Sequence, residues 1–422
     1  MVMAIVALGM TGRSVNIAFV VAAIFTIFTT IPSVLVSSVI RLKGGFYTQA
    51  AVFVNETYAG WYQFIQLLAA VSIAMFAVGL SSYVGQLVPF VAENSFVFSM
   101  IFLTAFFILN CFGTEWMAKV QSFMFYFLVG ALLMFTIVGI PQVHWSGYFG
   151  NELFGQPLFT NGAGGLLEAA AYLTFATAGA TVILSLSAEA KNPKKDFPPV
   201  IIFSTLAIAV LYAFMATVIG GVLPSDQVIA AGNLGPVAYE ILPLPLYYFF
   251  MIGGAVFALG TTLNSSIASR LRPMATATAD GWFPDWLGKL HPKTRVPYGF
   301  LGVLFVVNVA VMIFKLDTGT IGKWSLIIGN VTGMVTALSV MRLPTLFPEA
   351  WKNSPFYMPK GALVAALSCT AFSLGVQAYL NLRGLTPAII ATNIVTAIVA
   401  YIWVTYRKKA GKVHMVASYE MD

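Results

Sequence analysis

The 422-residue sequence predicts an all-α, polytopic membrane protein, and three observations predict it. Hydrophobic residues make up 59% of the chain and mean hydropathy is +0.87. Charged residues make up only 9%, where a soluble domain carries about 25%. Of the 22 lysines and arginines, eighteen gather in every second gap between long apolar segments or in the C-terminal tail.

In order, the apolar segments cover residues 15–39, 62–89, 96–113, 120–141, 164–187, 200–223, 244–268, 298–315, 321–341, 361–381 and 386–406, which predicts eleven spans. Most approach or exceed the roughly 20 helical residues that cross a hydrocarbon core of about 30 Å. Membrane strands would be about 10 residues long and alternate in polarity, whereas these segments are apolar on all sides. Helices also satisfy every backbone group internally, as hydrocarbon demands. Ahead of the first span, residues 1–10 (MVMAIVALGM) are apolar but reach only about 15 Å as a helix. They lack the basic front region and cleavage site of a secretory signal.

The gaps alternate in charge. Those near 40–60, 114–119, 188–199, 269–297 and 342–360, with the C-terminal tail, hold eighteen of the basic residues: Arg41, Lys43, Lys119, Lys191, Lys194, Lys195, Arg270, Arg272, Lys289, Lys293, Arg295, Arg342, Lys352, Lys360, Arg407, Lys408, Lys409 and Lys412. The opposite side has Arg13, Lys315, Lys323 and Arg383. The crowded side is expected to be cytoplasmic, with the C-terminus inside.

Dispersed loop by loop, this charge is not the contiguous basic face of a nucleic-acid binder, and no nucleic-acid partner is expected. Cys111 and Cys369 both fall in apolar segments and read as small buried thiols rather than a disulfide framework. His144, His291 and His414 lie far apart without metal-ligand spacing. No phosphate-cradling G-x-x-x-x-G-K-[ST] run supports ATP drive. Neither a metal nor any other cofactor is expected, and no bond-making chemistry is indicated.

The most informative local stretch is the exit of the span 164–187. Thr174, Thr177, Gly179, Thr181, Ser185 and Ser187 make it small and polar for a lipid-facing helix. Such residues either pack helices closely or line a polar cavity. Around Phe175, Ala176, Ala178, Gly179 and Thr181 the small side chains allow a helix to open, so that bare backbone N–H and C=O groups can meet a charged ligand.

The next ten residues, Glu189-Ala190-Lys191-Asn192-Pro193-Lys194-Lys195-Asp196-Phe197-Pro198, resemble the E-x-K-N-P-x-x-D-x-P signature of the amino acid–polyamine–organocation permeases. A second run is similar to the family's signature after its eighth helix: Leu263-Asn264-Ser265-Ser266, Arg272-Pro273-Met274-Ala275, Asp280-Gly281-Trp282-Phe283-Pro284, Pro292 and Val296-Pro297. Gly44-Gly45-Phe46-Tyr47 resembles a third, SGG-x-Y. The same residues have plain physical roles: Pro193 and Pro198 end a helix and set a turn, Asp280-Gly281 forms a turn, and Trp282 and Trp286 suit the aromatic interface belt.

The resemblance covers the whole chain and implies one permease domain over 1–422, built as two five-helix repeats of inverted topology with helices one and six broken at the midplane. Residues 1–141 would be an incomplete first repeat, 164–341 the second, 361–406 two further helices and 407–422 a cytoplasmic tail. Residues 1–10 would be the end of a first helix and Thr11-Gly12 the outer turn after it. Two readings of that short start stand side by side: a start assigned inside a longer protein, or a chain of eleven helices.

The resemblance also implies site roles. Phe175, four residues before Gly179, would be the aromatic gate over substrate. Thr181 stands where many members have a glutamate, which disfavours a site specialised for cations. No Lys or Arg occurs from Val120 to His144, so the membrane lysine of some proton-coupled members is absent. Glu168 is the alternative for coupling, with an ordinary interfacial role as its plainer reading. Asn110, Asn264 and Asn330 are further polar-cavity or packing candidates. The expected function is secondary transport of a small amino acid or related zwitterion, coupled to protons or a counter-substrate. A polyamine or organic-amine carrier, and a non-transporting sensor or accessory subunit, are the alternatives.

Overall fold

The computed structural model describes residues 2–42, 44–150, 153–186, 190–415 and 419–420. Lys43, Ser187, Glu189 and the side chain of Ser185 lie outside the described residues. Among those described, nine helices are long and apolar enough to cross a membrane, and two shorter apolar helices, Ser95–Cys111 and Tyr298–Ile313, complete a one-to-one match with the eleven expected spans.

The chain opens with α1 (Val2–Thr11), buried on most of its faces. A 3₁₀ turn, Gly12–Ser14, leads into α2 (Val15–Val39), with Gly12 at φ +69° where a side chain would be strained. After the short strand β1 (Arg41–Leu42) and α3 (Phe46–Phe53), the next span is divided into α4 (Glu56–Ala69) and α5 (Ser72–Leu87). Then follow α6 (Ser95–Cys111), α7 (Thr114–Gly139), α8 (Gly162–Thr177) and α9 (Pro193–Val222). The span from Leu244 includes a π-helical turn at Phe250–Val256 before α10 (Phe257–Ala279). The remaining spans are α11 (Tyr298–Ile313), α12 (Thr318–Ser339), α13 (Lys360–Leu382) and α14 (Pro387–Lys409). Strand β2 (Tyr419–Glu420) pairs antiparallel with β1.

Packing sorts these helices into two groups. In one, α2 lies along α9 and α8, while α1 lies along α8. In the other, α5 packs on α6, α10 and α11. Further contacts run from α12 to α13 and from α14 to α4.

Several local expectations change. Pro193 starts α9 rather than ending a helix, and Pro198 and Pro199 lie within its opening turns. A proline at the first helical position loses no bond, because that N–H has no intrahelical partner. Trp282 does not present its ring to a lipid surface: it is fully buried against Gly60, whose missing Cβ makes room for the ring, while Trp286 is exposed. Cys369 is exposed rather than buried, and both cysteines are free. Lys323, counted among the basic residues of the sparse side, is a buried residue inside α12.

The motif loops converge on one face of the bundle. Arg41 donates from Nη2 to the Ala190 carbonyl at 2.9 Å, joining the loop after α2 to the one before α9. Tyr47 donates from Oη to Asp280 Oδ2 at 2.6 Å, joining the Gly-Gly-Phe-Tyr motif to the Asp-Gly turn. That turn has Gly281 at φ +91° and accepts Arg407 Nε on its carbonyl at 2.8 Å. At the opposite end, buried Arg13 donates to the carbonyls of Gly147, Tyr148, Gly150 and Gln156, clamping the 142–161 loop to the start of α2.

Candidate functional site

The helical character of the span that begins at Gly162 changes within the Phe175–Thr181 stretch. Helix α8 ends at Thr177, and the chain continues as a 3₁₀ helix from Ala178 to Leu186. Thr181 Oγ1 donates to the Ala178 carbonyl at 3.1 Å, three residues back. A hydroxyl placed there supports the tighter turn, and β-branched Thr181, Val182 and Ile183 weaken the α alternative. The segment therefore tightens rather than unwinding. Thr177 Oγ1 pairs with Thr26 Oγ1 of α2 at 2.5 Å, fixing the transition against the neighbouring helix.

The predicted site residues divide around this transition. Phe175 is half-buried, with its ring 6.0 Å from that of Phe76 on α5. Ala176 turns elsewhere and, with Met3, Ala4, Phe19, Tyr212, Met215, Ile219 and Leu234, lines a cavity of about 20 Å³ between α1, α2 and α9. That volume is near the minimum for one water. Ala178 and Thr181 are half-buried, and Gly179 is exposed, with open space where a Cβ would stand. A larger hollow of about 410 Å³ lies away from this segment, lined by residues including Gln86, Tyr239, Tyr247 and Tyr248. Its tyrosines are of the type that forms an interfacial belt.

The asparagine candidates sit elsewhere. Asn110 Nδ2 donates to Asn264 Oδ1 at 3.0 Å, and Asn264 Nδ2 to Gln121 Oε1 at 3.2 Å, a chain joining α6, α10 and α7. Asn330 is buried in α12. Glu168 accepts from Lys323 Nζ at 2.6 Å across α8 and α12. Its signal in the sequence was a lysine within an apolar span.

One feature had no signal in the sequence. Between α4 and α5 the helix breaks at Ala70-Val71 without a Gly or Pro. The carbonyl of Ala69 accepts from Ser325 Oγ at 2.8 Å and from Arg270 Nη2 at 3.4 Å, while the Ala74 N–H donates to Asn308 Oδ1 at 2.8 Å. Side chains from α12, α10 and α11 thus satisfy backbone groups at the break.

Outside the spans, burial pushes the Asp280 carboxyl above the usual carboxylate range, and the bond from Tyr47 pulls it part of the way back. Burial, then the bond to that carboxyl, raises the Tyr47 phenol far above its ordinary value.

The family described as Amino acid permease matches residues 2–406. A branched-chain amino acid permease, BcaP, of Bacillus subtilis is 27% identical over 310 residues, 68% of this chain and 64% of its own length. The BcaP of Lactococcus lactis is 26% identical over 407 residues, 89% of this chain and 85% of its own. A vacuolar cationic amino acid transporter of Arabidopsis thaliana is 27% identical over 222 residues, 51% of this chain and 37% of its own length. The matches to the first and third of these thus span less than two thirds of the relative's own length. With its all-α multi-pass architecture and a match from Val2 to Tyr406, this chain belongs to the amino acid permease family.

Proposed function

We propose that this protein carries a small amino acid or related zwitterion with an uncharged side chain across the cell membrane by alternating access. The observation that carries the reading is the end of α8 at Thr177 with Gly179 facing open space. A substrate's charged ends would be held by backbone groups at that transition, and its side chain would meet Phe175, Ala178 and Thr181. Residues 175–186 contain no acid, which favours a neutral side chain over a cation or polyamine. The branched-chain permeases among the relatives support the same substrate class.

The reading includes two inverted repeats, the basic face and the C-terminus in the cytoplasm, and coupling to protons or a counter-substrate. The test is uptake of labelled leucine, valine and alanine into proteoliposomes by the parent and by Gly179→Leu. A Cβ at 179 meets nothing within 4 Å, so the leucine folds in place and fills the space beside the transition. Saturable uptake by the parent and at least about a tenfold loss in the correctly inserted variant, the equivalent of about 1.4 kcal/mol, are expected. Undiminished uptake by Gly179→Leu would refute the site.

A further inference from the structure

Glu168 is the seventh residue of α8 and Lys323 the sixth of α12, so each stands more than a turn inside an apolar helix. Their side chains are 31% and 10% exposed. Charges at such depth are expensive in a membrane unless they are paired. At 2.6 Å they are directly hydrogen-bonded.

The surroundings place this pair in a closed seam. Glu168, Tyr172 and Phe175 follow one another at i, i+4 and i+7, a single face of α8. On that face Tyr172 donates from Oη to the Thr318 carbonyl at 3.4 Å. Gly322 of α12 comes so near the same ring that a Cβ would lie 2.7 Å from its hydroxyl. One turn away, Gly319 meets Val6 of α1. Gly384 leaves the space that Lys323 Nζ occupies. Helices α1, α8 and α12 are thus drawn together at the end of the bundle that carries Arg13 and the 142–161 loop.

We infer that the Glu168–Lys323 ion pair is a latch that holds this end closed over Phe175 and breaks when the site opens toward it. The inference rests on the carrier reading of the site. An apolar seam of this kind would expose hydrocarbon to water on opening, at full cost. An ion pair gives up its mutual attraction but regains hydration for both charges, so the two states are close in free energy. That property suits a closure that has to open in every cycle. Glu168 and Lys323 act as positioning residues, setting the separation of α8 and α12 without touching substrate.

The test reads opening without substrate. Cys111 and Cys369 are replaced by alanine, and Ala4→Cys places a buried thiol on α1, two residues further in than Val6, which meets Gly319 of α12. Labelling by a membrane-impermeant maleimide added from the side of the 142–161 loop is then timed. Glu168→Gln and Lys323→Gln should each label on the order of tenfold faster than the parent, the effect of withdrawing about 1.4 kcal/mol from the closed state. The reversed pair, Glu168→Lys with Lys323→Glu, should return the rate toward the parent's. Parent-like labelling of both single variants, or a reversed pair that labels as fast as they do, overturns the latch. Should the single variants fail to give monodisperse protein, the reversed pair decides: a folded protein with parent-like labelling upholds the latch, and failure to fold overturns it. Absence of amino acid uptake with the expected labelling pattern would count against the carrier reading and leave the latch standing.

Discussion

Tyr47 shows what a residue of a short motif does. Its ring is fully buried and its hydroxyl is the donor to Asp280, so two loops far apart in sequence meet through one bond. Replacing it with phenylalanine leaves a half-buried carboxylate without that donor, and stability should fall by about 1–3 kcal/mol near neutral pH. The bond lowers the pKa of Asp280, so its contribution is present while the carboxyl is ionised and disappears as pH falls through the folded-state pKa. Thermal unfolding in detergent should therefore show a Tyr47→Phe deficit at neutral pH that shrinks on the acid side. A constant deficit across pH would mean that the ring's packing, not the bond, is at stake. Trp282 teaches the complementary lesson: its type suits a membrane interface, but Gly60 on another helix gives it a fully buried place.

At the scale of elements, the informative features are the two interruptions. The place of the change at Ala178 was legible, because Thr177, Gly179 and Thr181 hold α geometry less strongly than Ala or Leu, but its kind was not: an opened helix was expected and a 3₁₀ helix is found. The break at Ala70-Val71 was not legible, because Ala-Ala-Val is acceptable helix sequence. It is held from three other helices: Ser325 and Arg270 donate to the Ala69 carbonyl and Asn308 accepts from the Ala74 N–H, in an interior where backbone groups need such partners. Asn308→Leu should accordingly cost about 0.5–1.5 kcal/mol, since the Ala74 N–H loses its 2.8 Å bond and keeps only the 3.3 Å one to the Val71 carbonyl. A variant as stable as the parent in a thermal-shift assay would mean that the break does not depend on that bond.

For the whole molecule, the eighteen-to-four division of basic residues predicts which loops share a compartment. Single cysteines in the 188–199 and 273–297 loops should react only from the cytoplasm, and those in the 142–163 and 224–243 loops only from outside; the reverse pattern would sink the orientation. The segments and their all-helical nature were legible in the sequence alone, because the energetics of a chain in lipid depend on length and polarity, which are one-dimensional properties. The location of the helix transition near Gly179 was legible for a similar local reason. What only the tertiary structure decided is pairwise: that Phe175 faces Phe76 while Ala176 faces α1, α2 and α9, and that the asparagines of α6 and α10 bind each other. It also decided that Lys323 finds Glu168 across a gap of 155 residues. Hydrogen bonds and ion pairs act over about 3 Å, and no pattern along one chain encodes which distant residue folding will bring that close.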